Sequence, residues 1–572
     1  MKFILQPGKQ VHVPGDSASF RQTPSRREFM GGALIAGAVA FLAPRGAQGA
    51  EAKVDVLINE PVGTISPNIY SHFVEHLGGV VYDGIWVGEN SKIPNVGGIR
   101  RELVEHMRRI RPGVIRWPGG CFADQYDWRD GIGPREKRPR RVNFWADTNY
   151  KVTDSYKQLT DGPQKYEPNW FGTSEFMHFC RLAGAQPYFA ANLRSLEARA
   201  FLEWIEYCNA PAGLTTLSDM RAAAGDREPY NVAYWGVGNE SWGCGGDMLP
   251  EEYAERFRQF TAWAPTYQTT KLSYIATGPN GADVGWTRRF LSKLVEKGSG
   301  QVNKIHGLGL HYYCGTTGKG NALEYSEDEW YELIHRSDRM ESLVSQHWMV
   351  MGESDPQHRV KLIVDEWGAW HLQDPGLPPG YLYGYPGTLR DALISAVNLD
   401  TFQRHADKVA MANPAQLINT IHSLFIAYDD KFVATPNFDV FEMYAAHSGA
   451  QSLRTEFVAP HVSYMRTVNN NRERAEFWGL AGSASLNGKR LTLTAVNPDI
   501  KAARETEINV IGARITMGQA RVLTAADIHA HNSFANPKSM QPKDEQVTVG
   551  AGGKLVYRFA PASVTRLQLT LA

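Results

Sequence analysis

Carboxylic acids and amides stand at the ends of several short apolar segments of the chain. Glu240 closes the segment VAYWGVGNE (232–240), directly after Asn239, and Glu366 follows the apolar run LIV in VKLIVDEWG (360–368). Two carboxyl groups held close together titrate at different pH values, because both cannot easily be ionised. Cleavage of a glycosidic bond requires such a pair, one acid to protonate the departing oxygen and one carboxylate to attack or stabilise the anomeric carbon. We therefore predict Glu240 and Glu366 as a catalytic pair.

Structural roles are the alternative for each of these side chains. A single Glu at a strand end more often forms a salt bridge or a cap than it catalyses a reaction, but two such residues favour catalysis. Asp365 is expected to face outward or to brace a neighbour, because successive strand residues alternate between faces. His311 and Tyr313 could fill a core, or Tyr313 could donate a hydrogen bond to the nucleophilic carboxylate.

The elements that would position these acids form a repeating pattern. Short apolar segments alternate with amphipathic ones between about Ile69 and Gln416, and eight of them are candidate buried strands. This pattern predicts a (β/α)8 barrel, whose active sites lie at the carboxyl ends of the strands. An open doubly wound sheet is the alternative, but no GxGxxG or P-loop supports a nucleotide site in it. The candidate strands span residues 69–76, 113–120, 186–193, 232–240, 271–278, 305–313, 360–368 and 408–416.

The pattern changes after about Tyr444. Segments from there to the end of the chain alternate in polarity every second residue and are separated by Gly and Asn turns, which is typical of an antiparallel β-sandwich. The stretch KVDVLINEPVG (53–63) also reads as a strand and is expected to join that sandwich. We predict a strand within 51–66, a catalytic barrel over 67–443 and a jelly-roll-like sandwich over 444–572.

Four stretches together resemble glycoside hydrolase family 51. They are IYSHFVEHLGGVVYDGIW, VIRWPGGCFADQYDWRDGIGPREKRP, WGVGNE and VDEWGAW, and the resemblance covers residues 53–572. It implies a barrel with a jelly-roll-type sandwich and a retaining, exo-acting α-L-arabinofuranosidase that works without a cofactor. The implied substrate is an arabinofuranosyl-bearing oligosaccharide or polysaccharide, such as hemicellulose, and the implied assembly is a homo-oligomer, with a hexamer as the common form.

The resemblance also assigns roles to individual residues. Glu240 matches the general acid/base and Glu366 the nucleophile. Tyr313, preferred over the adjacent Tyr312, matches the hydrogen-bonding partner of the nucleophile. The remaining implied substrate contacts are Glu75, Cys121, Asn239 and Gln416, where Cys121 would offer a thiol, a weaker hydrogen-bonding group than an amide.

Other activities remain open at this stage. A family member of the same fold could be an endo-β-glucanase or a β-xylosidase, and the long insertion 129–172 could line an aglycone cleft, cover the site as a lid or form an oligomer contact. A catalytically silent carbohydrate-binding protein is disfavoured because both acids are present. A metal-dependent hydrolase is a third alternative. The insertion contributes Arg138, Arg140, Arg141, Trp145 and Trp170.

Composition narrows the classes of partner. The 572 residues include 60 basic and 60 acidic side chains, and this balance argues against nucleic-acid binding, which needs a basic excess or patch. The five Cys residues are odd in number and show no CxxC spacing, so a disulfide framework or a zinc site is not expected, and at most one bridge is.

The first fifty residues resemble a twin-arginine export signal. Arg26 and Arg27 precede the apolar run GGALIAGAVAFLA, and small residues from Ala47 to Ala52 suit a cleavage region. The run of about 13 residues is too short for a membrane span. We therefore expect a periplasmic or secreted protein whose mature form is not embedded in a membrane.

Overall fold

The computed structural model describes residues 51–572, apart from 144, 146–165, 268–269, 316–319 and 378–381. The segment predicted as an export signal, 1–50, lies outside the described residues. Within the described residues, no helix combines the length and the apolar character needed to cross a bilayer.

Eight parallel strands form a nearly closed barrel sheet, as predicted. Each of the eight predicted segments contains one of them, and each strand pairs with its neighbour in chain order. The Leu417 amide, just beyond the last strand, donates to the Phe73 carbonyl of the first at 2.9 Å. The strands are β2 (His72–Phe73), β3 (Val114–Trp117), β4 (Gln186–Ala191), β5 (Tyr234–Val237), β6 (Ser273–Ala276), β7 (Ile305–Tyr313), β8 (Lys361–Gly368) and β9 (Val409–Pro414).

Amphipathic helices surround the sheet. The first helix buries Leu103, Val104, Met107 and Ile110, which recur at the spacing of one helical face, and leaves its charged face exposed. The helices of the described residues are α1 (Arg101–Ile110), α2 (Thr173–Ala183), α3 (Ala198–Asn209), α4 (Thr216–Ala223), α5 (Pro250–Phe260), α6 (Val284–Val295), α7 (Glu327–Met351), α8 (Leu389–Arg404) and α9 (Pro436–Tyr444).

Much of the aromatic content of the chain packs between the strands and the helices. Trp117 of β3 stacks on Phe176 of α2 with ring centroids 5.0 Å apart, and Phe189 of β4 contacts Trp204 of α3 at 4.7 Å. Rings of this size bury a large apolar area and prefer such offset and edge-on contacts. A separate small apolar cluster consists of Val114, Tyr188, Ile275, Ile363 and Met411, which come from five of the barrel strands.

A second sheet carries nine strands around its own apolar core. The N-terminal strand joins it as predicted: β1 pairs antiparallel with β10 and parallel with β13. The parallel pair departs from the purely antiparallel prediction, because β1 enters the sheet from the other end of the chain. The strands are β1 (Ala52–Thr64), β10 (Gln451–Val458), β11 (Ala481–Asn487), β12 (Arg490–Asn497), β13 (Arg504–Ile511), β14 (Ile515–Thr524), β15 (Lys543–Val547), β16 (Leu555–Phe559) and β17 (Ser563–Leu571), in the sheet order β15-β14-β17-β12-β11-β10-β1-β13-β16.

Helix α8 lies between the barrel and the second sheet. Its buried Asp400 accepts hydrogen bonds from Thr494 at 2.6 Å and from Ser483 at 2.7 Å, and burial raises the pKa of Asp400 to about 6. Burying an acid without hydrogen-bond partners would cost free energy, so Asp400 depends on these two residues of the sheet. The contacts therefore hold the sheet against helix α8. The predicted domain boundaries at 66/67 and 443/444 stay predictions.

Candidate active site

Glu366 lies near the carboxyl end of β8 between two hydrogen-bond donors. Its Oε1 accepts from Arg116 Nη1 at 2.9 Å, and its Oε2 accepts from the Tyr313 hydroxyl at 2.8 Å. Tyr312, the competing candidate, instead donates to the Arg336 carbonyl at 2.6 Å. Burial and the Glu366 charge raise the pKa of Tyr313 well above its usual value, so its hydroxyl stays a donor.

Arg116 supplies the positive charge of this site. The side chain is buried and stacks on the Phe73 ring, and its second nitrogen donates to Asn239 Oδ1 at 2.5 Å. Burial alone would raise the pKa of Glu366, but the charges of His311 and Arg116 and the bonds donated by Arg116 and Tyr313 hold it below its usual value. Glu366 is therefore ionised at neutral pH.

Asp365, which precedes Glu366 in β8, is buried and contacts side chains of two other barrel strands. Its carboxylate accepts hydrogen bonds from the Tyr188 hydroxyl at 3.2 Å and from Asn413 at 3.4 Å. The predicted outward orientation is wrong, because irregularities in the pairing of β8 with both neighbours interrupt the alternation of faces. The other prediction, a bracing role, fits these contacts.

Glu240 follows β5 in an unusual backbone conformation. Its φ is +36°, and Gly238 before it has φ +88°. The turn is held by the buried Asp124, whose carboxylate accepts from the Asn239 amide at 3.1 Å and from the Leu193 amide at 2.8 Å. Residues with positive φ other than glycine cluster at functional sites, where surrounding contacts maintain them.

His311 connects the two predicted catalytic acids. Its Nδ1 lies 3.0 Å from Glu240 Oε1 and 3.5 Å from Glu366 Oε2. One oxygen of each carboxylate and a nitrogen of His311 all lie within 4.8 Å of one another. Burial opposes charge on His311, but Glu366 and Glu240 outweigh it and raise the pKa of His311. The two acids share one cavity and have unequal surroundings, since 18% of the Glu240 side chain is exposed and 7% of Glu366.

Glu75 is a second buried acid near Glu366. It accepts hydrogen bonds from the Phe122 amide, from Trp145 Nε1 and from Gln416 Nε2, each at 2.9 Å. Burial, with the nearby Glu366 charge, raises the pKa of Glu75 to about 7. The structure thus brings Glu75 and Gln416 to the same cavity as the predicted catalytic pair.

Glycines 119 and 120 leave the space between these acids open. A Cβ at Gly120 would lie 2.8 Å from Glu366 Oε1, and a Cβ at Gly119 would lie 2.7 Å from Glu75 Cγ. Any larger residue at either position would press on a carboxyl-bearing side chain. The two glycines of the PGG segment are therefore needed because they have no side chain.

Among the described residues of the insertion 129–172, Trp145 reaches the cavity. Besides donating to Glu75, Trp145 packs edge-on against Tyr383, which contacts Trp370, and together they form an aromatic wall. Arg138 and Trp170, two other described residues of the insertion, make structural contacts with the barrel domain. Arg138 is paired with the buried Glu175, and Trp170 packs against the main core.

Cys121 lies at the cavity, but not as a thiol. It forms a disulfide with Cys244, and Cys180, Cys208 and Cys314 are buried and free. The predicted thiol contact with substrate is wrong for this form of the protein, because a disulfide sulfur carries no hydrogen to donate. The expectation of at most one bridge agrees with the structure.

Sequence reasoning missed Arg116 and Asp124, and it named Trp145 only as one of five insertion residues that could line a cleft. Arg116 offered a signal, since a charged residue within the apolar run VIRW must find a partner if the run is a buried strand. Asp124 lies in a short 3-10 helix (Cys121–Gln125) and Trp145 in a turn, where neither periodicity nor strand position marks a side chain.

Comparison with known proteins identifies the family. A model of the α-L-arabinofuranosidase 1 domain matches residues 106–314, and a model of the α-L-arabinofuranosidase C-terminal domain matches residues 365–563. The chain is 33% identical to an intracellular exo-α-L-arabinofuranosidase of Bacteroides ovatus, over 93% of this chain and 98% of that protein. The chain belongs to glycoside hydrolase family 51, the family named for a solved arabinofuranosidase structure that it also matches.

A solved structure of a family 51 arabinofuranosidase extends the comparison to the fold. The Xanthomonas axonopodis pv. citri protein superposes on this family 51 enzyme with a TM-score of 0.82, at 33% identity, over 91% of this chain and 100% of that chain. The alternative of a same-family endo-β-glucanase or β-xylosidase is not favoured by these relatives.

The relatives overturn the predicted location. The Bacteroides ovatus protein is named intracellular, as is an exo-α-(1→5)-L-arabinofuranosidase of Acetivibrio thermocellus, which is 29% identical over 65% of this chain and 71% of that protein. The prediction of twin-arginine export to the periplasm or medium is contradicted by these names. Two adjacent arginines before a short apolar run are a short pattern that also occurs in proteins that are not exported. The pattern alone therefore does not establish export.

Proposed function

We propose that this family 51 enzyme is a retaining, exo-acting α-L-arabinofuranosidase that releases terminal L-arabinofuranose from arabinose-containing hemicellulose or oligosaccharides. The observation that carries the proposal is the approach of Glu240 and Glu366, with one oxygen of each within 4.8 Å of the other. Retaining glycosidases hold their carboxyl groups about 5–5.5 Å apart, whereas inverting ones need about 6.5–9.5 Å to admit a water molecule. The spacing favours double displacement.

Glu366 is suited to the first step as the nucleophile. Its ionised carboxylate attacks the anomeric carbon, the bond from that carbon to the aglycone oxygen breaks, and the proton of Glu240 passes to the departing oxygen. An arabinosyl ester of Glu366 results. Arg116 and Tyr313 hold both oxygens of Glu366, so the carboxylate is oriented before substrate arrives.

Glu240 is suited to both proton transfers. Once ionised, it removes a proton from the incoming water, whose oxygen attacks the anomeric carbon and releases the Glu366 carboxylate. Its greater exposure gives the aglycone and then the water access to it. His311, within hydrogen-bond distance, positions the carboxyl on the aglycone side of the ring.

The remaining polar residues are assigned to the furanose hydroxyls. Asn239, which accepts a hydrogen bond from Arg116, is proposed to bond the 2-hydroxyl. Glu75 and Gln416, which are hydrogen-bonded to each other, are proposed to contact further hydroxyls. Hydrogen bonds that strengthen as charge develops on the sugar ring stabilise the transition state more than the bound substrate, so they increase the reaction rate as well as the affinity. The aromatic wall of Trp145, Tyr383 and Trp370 suits a pocket for one terminal sugar. The predicted homo-oligomer, with a hexamer as the expected form, stays a prediction.

A panel of 4-nitrophenyl glycosides tests this function. We expect hydrolysis of the α-L-arabinofuranoside with kcat/KM well above that for the β-D-xyloside and the β-D-glucoside. Turnover of the β-D-glucoside or of β-glucan, with none of the arabinofuranoside, would contradict the proposal.

Replacing Arg116 with methionine should shift the acid limb of the pH profile. Loss of the buried cation raises the pKa of Glu366, so the carboxylate becomes protonated, and activity is lost, at a higher pH than in the native enzyme. Because the native pKa is lowered, the ion pair stabilises the fold at neutral pH and ceases to do so as the pH falls through that pKa. Breaking a buried pair costs about 3–5 kcal/mol of unfolding free energy. The measurements are kcat/KM against pH and thermal unfolding.

Arg221 provides the control for this variant. It is equally buried but donates only to backbone carbonyls, including those of Tyr207 and Ala210. Arg221→Met should lower stability and leave the acid limb in place. An unmoved acid limb in Arg116→Met would show that Arg116 does not set the ionisation of Glu366.

Replacing Trp145 with phenylalanine should weaken substrate binding. The indole hydrogen bond lowers the pKa of Glu75, so its loss moves that pKa further above about 7 and weakens contacts made by the ionised form. One hydrogen bond contributes about 0.5–1.5 kcal/mol, which corresponds to a rise in KM of roughly 2- to 12-fold. Steady-state kinetics on the arabinofuranoside measure it. Trp170→Phe, in the same insertion but packed on the core, should leave KM unchanged, and equal effects of the two variants would count against the assigned role.

A further inference from the structure

The disulfide between Cys121 and Cys244 lies against the proposed acid/base. Cys121 follows β3, Cys244 lies four residues after Glu240, and Cys244 Sγ is 3.6 Å from Glu240 Oε2. The two sulfurs and a carboxylate oxygen of Glu240 all lie within 4.8 Å of one another. Each of the three residues is partly exposed, so a reductant or a cation in the cavity can reach them.

We propose that reduction of this disulfide turns the Glu240 corner of the cavity into a binding site for a thiophilic divalent cation, Zn²⁺ or Cd²⁺, held by the sulfurs of Cys121 and Cys244 and the carboxylate of Glu240. Thiolates and a carboxylate are ligands that Zn²⁺ accepts at about 2.0–2.3 Å, and three protein ligands with one open position are a common zinc arrangement. The open position faces the cavity, where His311 Nδ1 lies 3.0 Å from Glu240.

The local backbone keeps the three ligands together. The Gly243 and Gly245 amides both donate to the Glu240 carbonyl, at 2.8 and 3.1 Å, so the turn that carries Cys244 folds back onto Glu240 independently of the disulfide. The Cα atoms of the two cysteines are 5.5 Å apart. Reduction therefore requires only that the sulfurs rotate apart to admit the ion.

The chemistry of each step balances. A phosphine reductant gives two electrons to the disulfide and becomes the phosphine oxide with oxygen from water, while the two sulfurs take up two protons. Binding of the cation then releases both protons, because thiolates are the ligands. The bound ion is coordinated by the carboxylate of Glu240, and this carboxylate can then neither donate nor accept a proton. The predicted loss of activity rests on the proposed role of Glu240 as the acid/base. The predicted binding of the metal ion does not depend on that role.

The site is tested by titrating Cd²⁺ into oxidised and phosphine-reduced full-length protein and recording the ultraviolet thiolate-to-cadmium absorption band. We expect the band, at one Cd²⁺ per chain, only in the reduced protein. We expect an excess of Zn²⁺ to displace the Cd²⁺. Zn²⁺ should also inhibit the reduced enzyme at concentrations at least about tenfold lower than the oxidised enzyme, since two thiolate ligands are added. A chelator should restore activity.

Three variants separate the alternatives. Cys244→Ser should abolish the band and the thiol-dependent inhibition, and Glu240→Gln should weaken Cd²⁺ binding. Cys180→Ala, which removes a buried free cysteine elsewhere, should behave as the native protein does. Absence of the band in the reduced protein would overturn the proposal. So would equal inhibition of both forms by Zn²⁺, which would place the ion on Glu240, His311 and Glu366 instead. Cd²⁺ binding without inhibition would support the metal site and count against Glu240 as the acid/base.

Discussion

Glu366→Ala is expected to lower kcat by about 10,000-fold or more on every arabinofuranoside, including those with activated leaving groups. Without this carboxylate, no nucleophile reaches the anomeric carbon from its face of the ring, and a better leaving group does not replace it. Steady-state kinetics on 4-nitrophenyl and 2,4-dinitrophenyl α-L-arabinofuranosides measure the loss. Glu353→Ala, which removes an exposed glutamate paired with Arg288, is the control and should retain activity.

An added nucleophile sharpens the test of Glu366. Azide should enter the space vacated by the carboxylate, attack from the same face and yield the β-arabinosyl azide, with inverted configuration. Substantial residual activity, or rescue that gives the α-azide, would assign the nucleophile to another residue.

Glu240→Ala is expected to show a dependence on the leaving group that Glu366→Ala lacks. General acid catalysis contributes about 100- to 10,000-fold, so activity on oligosaccharides should fall by that factor. The 2,4-dinitrophenyl arabinofuranoside should be affected much less in its first step, because dinitrophenolate departs without a proton. A burst of dinitrophenol should therefore be seen, followed by slow release of the sugar, since the base for the water is also missing.

Azide again reports on the geometry around Glu240. It needs no base, so it should accelerate turnover of the Glu240→Ala ester intermediate and yield the α-arabinosyl azide, with retained configuration. Equal loss of activity in Glu240→Ala for good and poor leaving groups would rule out the acid/base role.

The barrel could be predicted from sequence because its strands are buried on both faces. Each of the eight apolar segments proved to contain a strand, and the polar residues that follow them meet at one end of the sheet. Glu75, Glu240, Glu366 and Gln416 all stand at or near the ends of these segments, and the structure brings them close together. The N-terminal strand was equally visible, because its alternation matches that of the later sheet.

Long-range partners could not be predicted in this way. The orientation of Asp365 depends on an irregular register between β8 and its neighbours, which the rule of alternating faces does not include. Arg116 forms its ion pair with a residue 250 positions away. The partner of an isolated charge becomes known only when the strands are assembled.

The disulfide and the contact between Trp145 and Glu75 could not be predicted from sequence either. Cys121 and Cys244 are 123 residues apart and follow different strands, so no local spacing marks them as a pair. Trp145 reaches Glu75 from within a long insertion whose other prominent residues, Arg138 and Trp170, make structural contacts. Residue type alone did not separate these roles.

The central claim is that Glu240 and Glu366 act in turn on one anomeric carbon. Proton NMR of the products formed from 4-nitrophenyl α-L-arabinofuranoside in aqueous methanol tests it most directly, because a methyl glycoside keeps its configuration once formed. Two displacements predict methyl α-L-arabinofuranoside as the transfer product. Formation of the β-anomer, or release of β-arabinofuranose first with no methyl glycoside, would mean a single displacement and would contradict the assigned pair.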